Sequence, residues 1–210
     1  MVVVREWNLL RSYPQPEERI IPLRTIEDRI LASYRGRHFF DGERCQGYGG
    51  MENDRRWKEV AKDIIKEYHP VSVLQLQSEK GYLLHELKEL GCQVSAVDSS
   101  SYARKHSMIP TLHNWPDEGN FDLCIALGLV YTLNLSDAMN CLRRIEAVAN
   151  ASFITLAAYE TEEDLRLFRK WTLLGTTILR KEEWIEVLKH CGFTGDYWFI
   201  TAKSLRLREA

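Results

Sequence analysis

"VSVLQLQSEKGYLLHELKELGCQVSAVDSS", Val71 to Ser100, decides the fold of this chain. "VSVLQLQ" is apolar and β-branched enough for a short strand. "YLLHELKEL" then places Leu83, Leu84, Leu87 and Leu90 on one helical face. Gly91 follows at the position where a left-handed residue ends a helix, and "QVSAVD" is a second strand. A strand, a crossover helix and a strand in this space predict a parallel pair.

The same alternation runs to the end of the chain. A short helix near Tyr102–His106 and a weak strand around Ile109–Leu112 come next. "FDLCIAL" has the near-continuous apolar run of a central parallel strand. "DAMNCLRRIEAVA" is helical and "SFITLAAY" is a strand; "TEEDLRLFRKW" opens with Thr161 as N-cap and Asp164 three residues on. "KEEWIEVLKHCGF" is a helix ended by Gly192, and "DYWFITAKS" is a closing strand. Strands alternating with helices predict a doubly wound α/β domain: a mostly parallel sheet, right-handed crossovers and helices on both faces. Ligands in such folds bind beyond the carboxyl ends of the strands, which is where the Gln75–Gly81 turn and Asp98 fall.

Upstream, "RRWKEVAKDIIKEY" carries Trp57, Val60, Ala61, Ile64, Ile65 and Tyr68 at helical spacing, with charges opposite, and Pro70 stops it. Residues 55–210 therefore form the α/β domain. Residues 1–54, broken by prolines and glycines, read as an N-terminal arm with one helix near Thr25–Tyr34. Its aromatics, Tyr13, Tyr34, Phe39, Phe40 and Tyr48, are expected to be buried, on the main core or as a lid over a pocket.

At 210 residues, 45% apolar and 28% charged, the chain has the composition of a soluble globular protein. Its formal net charge of −2 supplies no basic surplus for general nucleic-acid binding. The longest apolar run, "LCIALGLVYTL", falls short of the roughly 20 residues of a membrane helix. Five widely spaced cysteines without a C-x-x-C pair predict reduced thiols, and with the absence of a signal-like start they place the protein in the cytoplasm. His38, His69, His85, His106, His113 and His190 show no ligand spacing, so no metal is expected. Hydrolase elbows and P-loops are absent as well.

From Arg55 to Ser204 the order of elements resembles a class I S-adenosylmethionine (SAM) dependent methyltransferase, a Rossmann-like fold. "FFDGERCQGYGGMENDRRW" is similar to a stretch ahead of the core in some bacterial small-molecule methyltransferases, which carry F-D-G, Y-G-G-Y and R-W. The resemblance implies SAM as cofactor and a small-molecule acceptor. It also implies that the turn after the first core strand lies under the methionine part of SAM, that Asp98 binds the ribose hydroxyls, and that Asp117 or Glu118 approaches the adenine.

The turn departs from the family's D-x-G-x-G-x-G. Gln75 stands for the acid, Gln77 for the first glycine and Glu79 for the middle one; only Gly81 is kept. A non-glycine residue at positive φ costs about 1 kcal/mol or more. Strain of that size is offset by packing, but a side chain in the cofactor's volume is not. The expected cofactor-site residues are Gln75, Gln77, Glu79, Gly81, Asp98 and Asp117, and the acceptor-site residues are Tyr48, Tyr131, Tyr159 and Glu160, with Tyr48 beside Tyr159. Two functions follow: methyl transfer to a small molecule, or an inactive relative that acts as a binding or scaffolding partner. The partner would be a second copy or an active paralogue.

Overall fold

A computed structural model describes residues 5–116 and 119–209. After a short extended segment come β1 (Arg19–Ile20), α1 (Ile26–Ser33), α2 (Arg37–Asp41) and α3 (Lys58–Tyr68). The alternating part follows: β2 (Ser72–Leu76), α4 (Tyr82–Glu89), β3 (Gln93–Val97), α5 (Ser101–Lys105), β4 (Thr111–Leu112) and β5 (Phe121–Ala126). A single 3-10 turn, Val130–Thr132, leads into α6 (Leu135–Val148), β6 (Ala149–Tyr159) and α7 (Glu162–Trp171). The chain closes with β7 (Leu179–Arg180), α8 (Lys181–Cys191), β8 (Asp196–Ile200) and β9 (Leu207–Arg208).

The main sheet has seven strands in the order β4-β3-β2-β5-β6, with β8 and the short β7 both on β6. All of its pairings are parallel. Strand order reverses between β2 and β5, so the crevice beyond their carboxyl ends is where a ligand of this fold belongs. Alternation within the strands divides the core in two. Leu74, Leu76, Cys124, Ala126, Ile154 and Leu156 face Leu142, Ile145, Phe168, Trp184 and Leu188 from α6, α7 and α8. Val73, Leu123, Ile125 and Phe153 face Val60, Ile64, Leu84 and Leu87 from α3 and α4. The two-sided burial explains why the central strands read as unbroken apolar runs.

The arm does two different things. Its first part belongs to the core: Trp7 and Leu9 pack on the α3 face, and Trp7 N–H donates to the Tyr197 carbonyl, which extends the sheet past β8. Its second part lies on the carboxyl edge, where Phe39, Phe40 and Ala32 pack with Ala103 of α5. Tyr34 and Tyr48 depart from expectation: Tyr34 is exposed because the face of α1 that carries it points away from the protein, Tyr48 stays 38% exposed although it packs on Phe39 and Phe40, and Tyr13 is half-buried.

Candidate functional site at the carboxyl edge

Gln77 (φ 51°) and Glu79 (φ 56°) both occupy the left-handed region, as does Gly81 (φ 72°). The backbone therefore keeps the path that glycines would take, at a strain of about 1–2 kcal/mol for each of the two side-chain-bearing residues. Gly81 is required for a second reason. A Cβ there would stand 2.7 Å from Ser107 Oγ, so the start of α4 packs directly on the loop before β4.

The two large side chains turn into the crevice and find partners. Gln77 Nε2 donates to the Gly128 carbonyl at 3.4 Å, from the turn after β2 to the turn after β5, across the switch point. The Glu79 carboxylate accepts from the Tyr48 hydroxyl. Burial pushes Glu79 up to about 7; Arg35 and the Tyr48 bond oppose the shift, and Asp98 adds to it. Burial and the neighbouring Glu79 raise Tyr48 as well. Gln75 is buried in β2 with Oε1 unpartnered, a neutral amide where an acid was expected.

Asp98 ends β3 with its side chain wholly buried. One oxygen accepts from Glu79 N–H at 2.8 Å and from Arg35 at 3.4 Å, and the other accepts from Ser100 N–H at 2.8 Å. Three of roughly four accepting positions of the carboxylate are thus in use. Arg35 itself reaches the site from a left-handed position (φ 46°) just after α1, and its carbonyl accepts from Ser100 Oγ.

A second polar cluster fastens the arm next to this one. Lys80 Nζ, almost fully buried, donates to Asp41 at 2.5 Å and to the Met51 carbonyl at 2.8 Å. Tyr102 donates to the other Asp41 oxygen and Tyr82 to the Met51 carbonyl. Burial opposes ionisation of Asp41, but Lys80, Tyr102 and the Met51 amide outweigh it and hold the carboxyl below its usual range.

The structure thus joins Gln77, Glu79, Gly81, Asp98 and Tyr48 in one place. Tyr131 borders them: it is buried, and burial with Glu79 nearby pushes it up to about 12. Tyr159 and Glu160 have other partners. Arg180 lies over the Tyr159 ring at 5.0 Å, and Glu160 pairs with Lys181, which lowers its pKa. Tyr48 packs on Phe39 and Phe40 instead of beside Tyr159. Asp117 lies outside the described residues. The sequence reading missed Arg35, Asp41, Lys80, Ser100 and Tyr102. "SYRGR" and "FDG" offered glycines next to the first two and no sign of what they would meet.

No family model matches the sequence, and no curated protein is similar to it. Solved structures are similar. A protein described as an O-methyltransferase from Nostoc punctiforme superposes with a TM-score of 0.53 at 16% identity, over 66% of this chain and 50% of that one. A SAM-dependent methyltransferase from Archaeoglobus fulgidus gives 0.52 at 14% identity, over 68% and 69%. A chain from the complex of the Trm112 methyltransferase activator with a methyltransferase from Haloferax volcanii gives 0.50 at 15%, over 79% and 76%. The chain spans about half the length of the first of these. Similarity at such identities is similarity of fold, and the fold is the Rossmann-like fold of class I methyltransferases.

The residues present do not fit SAM as the resemblance implies. Asp98, where the resemblance places the ribose hydroxyls, already accepts from Glu79, Ser100 and Arg35, Gln77 reaches across to the Gly128 carbonyl, and the Glu79–Tyr48 pair stands beside them. Among the described residues no group of three His, Cys, Asp or Glu side chains converges, and no helix is long and apolar enough to cross a membrane.

Proposed function

We propose that this protein is a methyltransferase-fold binding partner that does not transfer a methyl group from SAM, because its own side chains fill the cofactor seat. The observation that carries the reading is the occupied Asp98, with three of its roughly four accepting positions already in use. One accepting position is left for the two hydroxyls of a ribose, and a second bond would have to displace a partner already there. Glu79 adds a steric argument, since its carboxylate and Tyr48 close the same end of the crevice.

Titration calorimetry with SAM and with S-adenosylhomocysteine tests this directly. The unmodified protein is expected to give no heat of binding, and Gln77→Gly with Glu79→Gly to create or strengthen binding. Micromolar or tighter binding by the unmodified chain overturns the proposal.

One observation favours the second reading, SAM-dependent methyl transfer to a small molecule. Asp98 follows β3 and Gly81 lies in the turn after β2, where the family uses them, and Arg35, which bonds Asp98, and Tyr48, which bonds Glu79, both belong to the arm. An arm that lifts would return the carboxylate to a ligand. On this reading the arm is a lid, Asp98→Asn weakens SAM binding, and a transferred methyl would need little acid–base help if acceptor and sulfonium are aligned.

A further inference from the structure

Helix α1 is folded with its apolar side outward. Asp28 and Ala32 are its buried residues, while Ile26 (72% exposed), Ile30 (48%) and Tyr34 (73%) lie at four-residue spacing on the solvent side, and Leu23 (94%) precedes them. The buried Asp28 is engaged within the helix's own capping box: it accepts from the Thr25 amide, and the Thr25 hydroxyl accepts from Asp28 N–H. Scattered exposed apolar residues are ordinary, but a contiguous stripe marks an interaction site.

Beside the stripe runs a cleft of about 340 Å3 between α1 and α7, lined by Arg29, Glu162, Leu165, Arg166, Arg169 and Lys170. Arg166 and Lys170 pair with Glu209. Arg29 and Arg169 are exposed and form no ion pair among the described residues. Beneath them Arg24 donates only to the carbonyls of Cys45, Lys170 and Trp171. Burial, with Arg29 and Arg44 close by, pulls its pKa down to about 10.

We infer that the α1 stripe and the α1–α7 cleft together dock an acidic amphipathic helix of a partner protein. Its apolar residues, three and four apart, lie on Leu23, Ile26, Ile30 and Tyr34, and carboxylates on one flank reach Arg29 and Arg169. A second copy fits less well. Antiparallel pairing of α1 about a two-fold axis sets equivalent flanks face to face, and Arg29, at the middle of the helix, meets its own copy. An anionic membrane fits less well too, because a flat anionic surface would meet the exposed Glu27, Glu162 and Glu163 together with the cations, whereas the flank of one helix need reach only Arg29 and Arg169. The inference extends the binding-partner reading, yet it uses no residue of the cofactor seat. Silent SAM calorimetry and failed peptide binding are therefore separate results.

The test uses the full chain and a fluorescent helix-forming peptide with Leu at alternating three- and four-residue steps and Glu on one flank. Two controls are a scrambled isomer and a peptide with Lys in place of Glu. The acidic amphipathic peptide is expected to bind at least tenfold more tightly than either control, with affinity falling as salt rises. Ile26→Ser with Ile30→Ser, and separately Arg29→Glu with Arg169→Glu, are expected to remove that preference while melting temperature stays unchanged. Equal binding of the three peptides overturns the inference. So does a solution dimer dissociated by the double Ser variant, which assigns the face to a second copy. Co-sedimentation with phosphatidylserine vesicles, lost in that variant and without peptide preference, overturns it in favour of a membrane.

Discussion

Helix α3 turns Val60, Ala61 and Ile64 into the core, whereas α1 turns Asp28 and Ala32 inward and leaves Ile26 and Ile30 in solvent. Both segments show apolar residues at helical spacing. The difference lies in what fixes each helix. Helix α3 is laid on the sheet next to α4 by apolar burial, which is non-directional and simply follows the stripe. Helix α1 has Ala32 as its one fully buried apolar residue, and it is tied to the body by directional contacts near its ends, Arg24 on the last carbonyls of α7 and Arg35 on Asp98. Where polar contacts set the orientation, an apolar stripe is free to be left outside.

Truncation should separate the two helices most sharply. Ile64→Ala is expected to cost about 2–5 kcal/mol in urea unfolding, the range for a fully buried aliphatic side chain. A loss below 1 kcal/mol would break the distinction, since α3 would then be no more anchored than α1.

The arm's polar attachment has a pH dependence. Glu79 titrates at about 7 in the folded protein against an ordinary value of 4.5. Between those values the folded state holds the proton that the unfolded chain has released, so stability falls as pH rises from about 4.5 to 7 and is flat above that. Glu79→Gln should remove this slope and stabilise the protein at pH 8 by about 1–3 kcal/mol, at roughly 1.4 kcal/mol per unit. Denaturation at pH 5 and pH 8 checks it. Destabilisation at pH 8 would instead make Glu79 an ionised partner of Arg35.

Thr25→Ala removes one half of the capping box and is expected to cost about 1 kcal/mol. The arm's hydrogen exchange should rise while that of α3 stays fixed. A uniform rise in both would mean that the two regions unfold as one.

The smallest effect is expected at the exposed stripe. Ile30→Ser should change stability by less than about 0.5 kcal/mol, because about half of the residue is already in solvent. A loss comparable with that of Ile64→Ala would place Ile30 in a buried contact and undo the comparison.

The candidate site was legible in part. The strand–turn–helix–strand of Val71–Ser100 put Gln77, Glu79, Gly81 and Asp98 at the carboxyl edge, and there they are. The positive φ of Gln77 and Glu79 follows from the same placement: the turn must make the same bend whatever residues it carries, and a cost of about 1–2 kcal/mol each is small beside the packing around it. Arg35 was not legible, because it meets Asp98 across 63 positions of sequence. Tyr159 and Glu160 stand at the expected strand end, but their partners there are Arg180 and Lys181, while Tyr48 packs on Phe39 and Phe40.

By itself the sequence determined the main strands and helices from α3 to β8 and their layering, since hydrophobic period, caps and breakers act within a few residues; the short β1, α2, β7 and β9 carry no such pattern. It also determined that the first turn would carry bulky polar side chains in place of glycines. Only the tertiary structure decided what those side chains meet. Hydrogen bonds are directional and short, so whether Asp98 faces a ligand or Arg35, and whether α1 shows its isoleucines to the core or to water, depends on how the arm folds back onto the sheet, and no local pattern encodes that path.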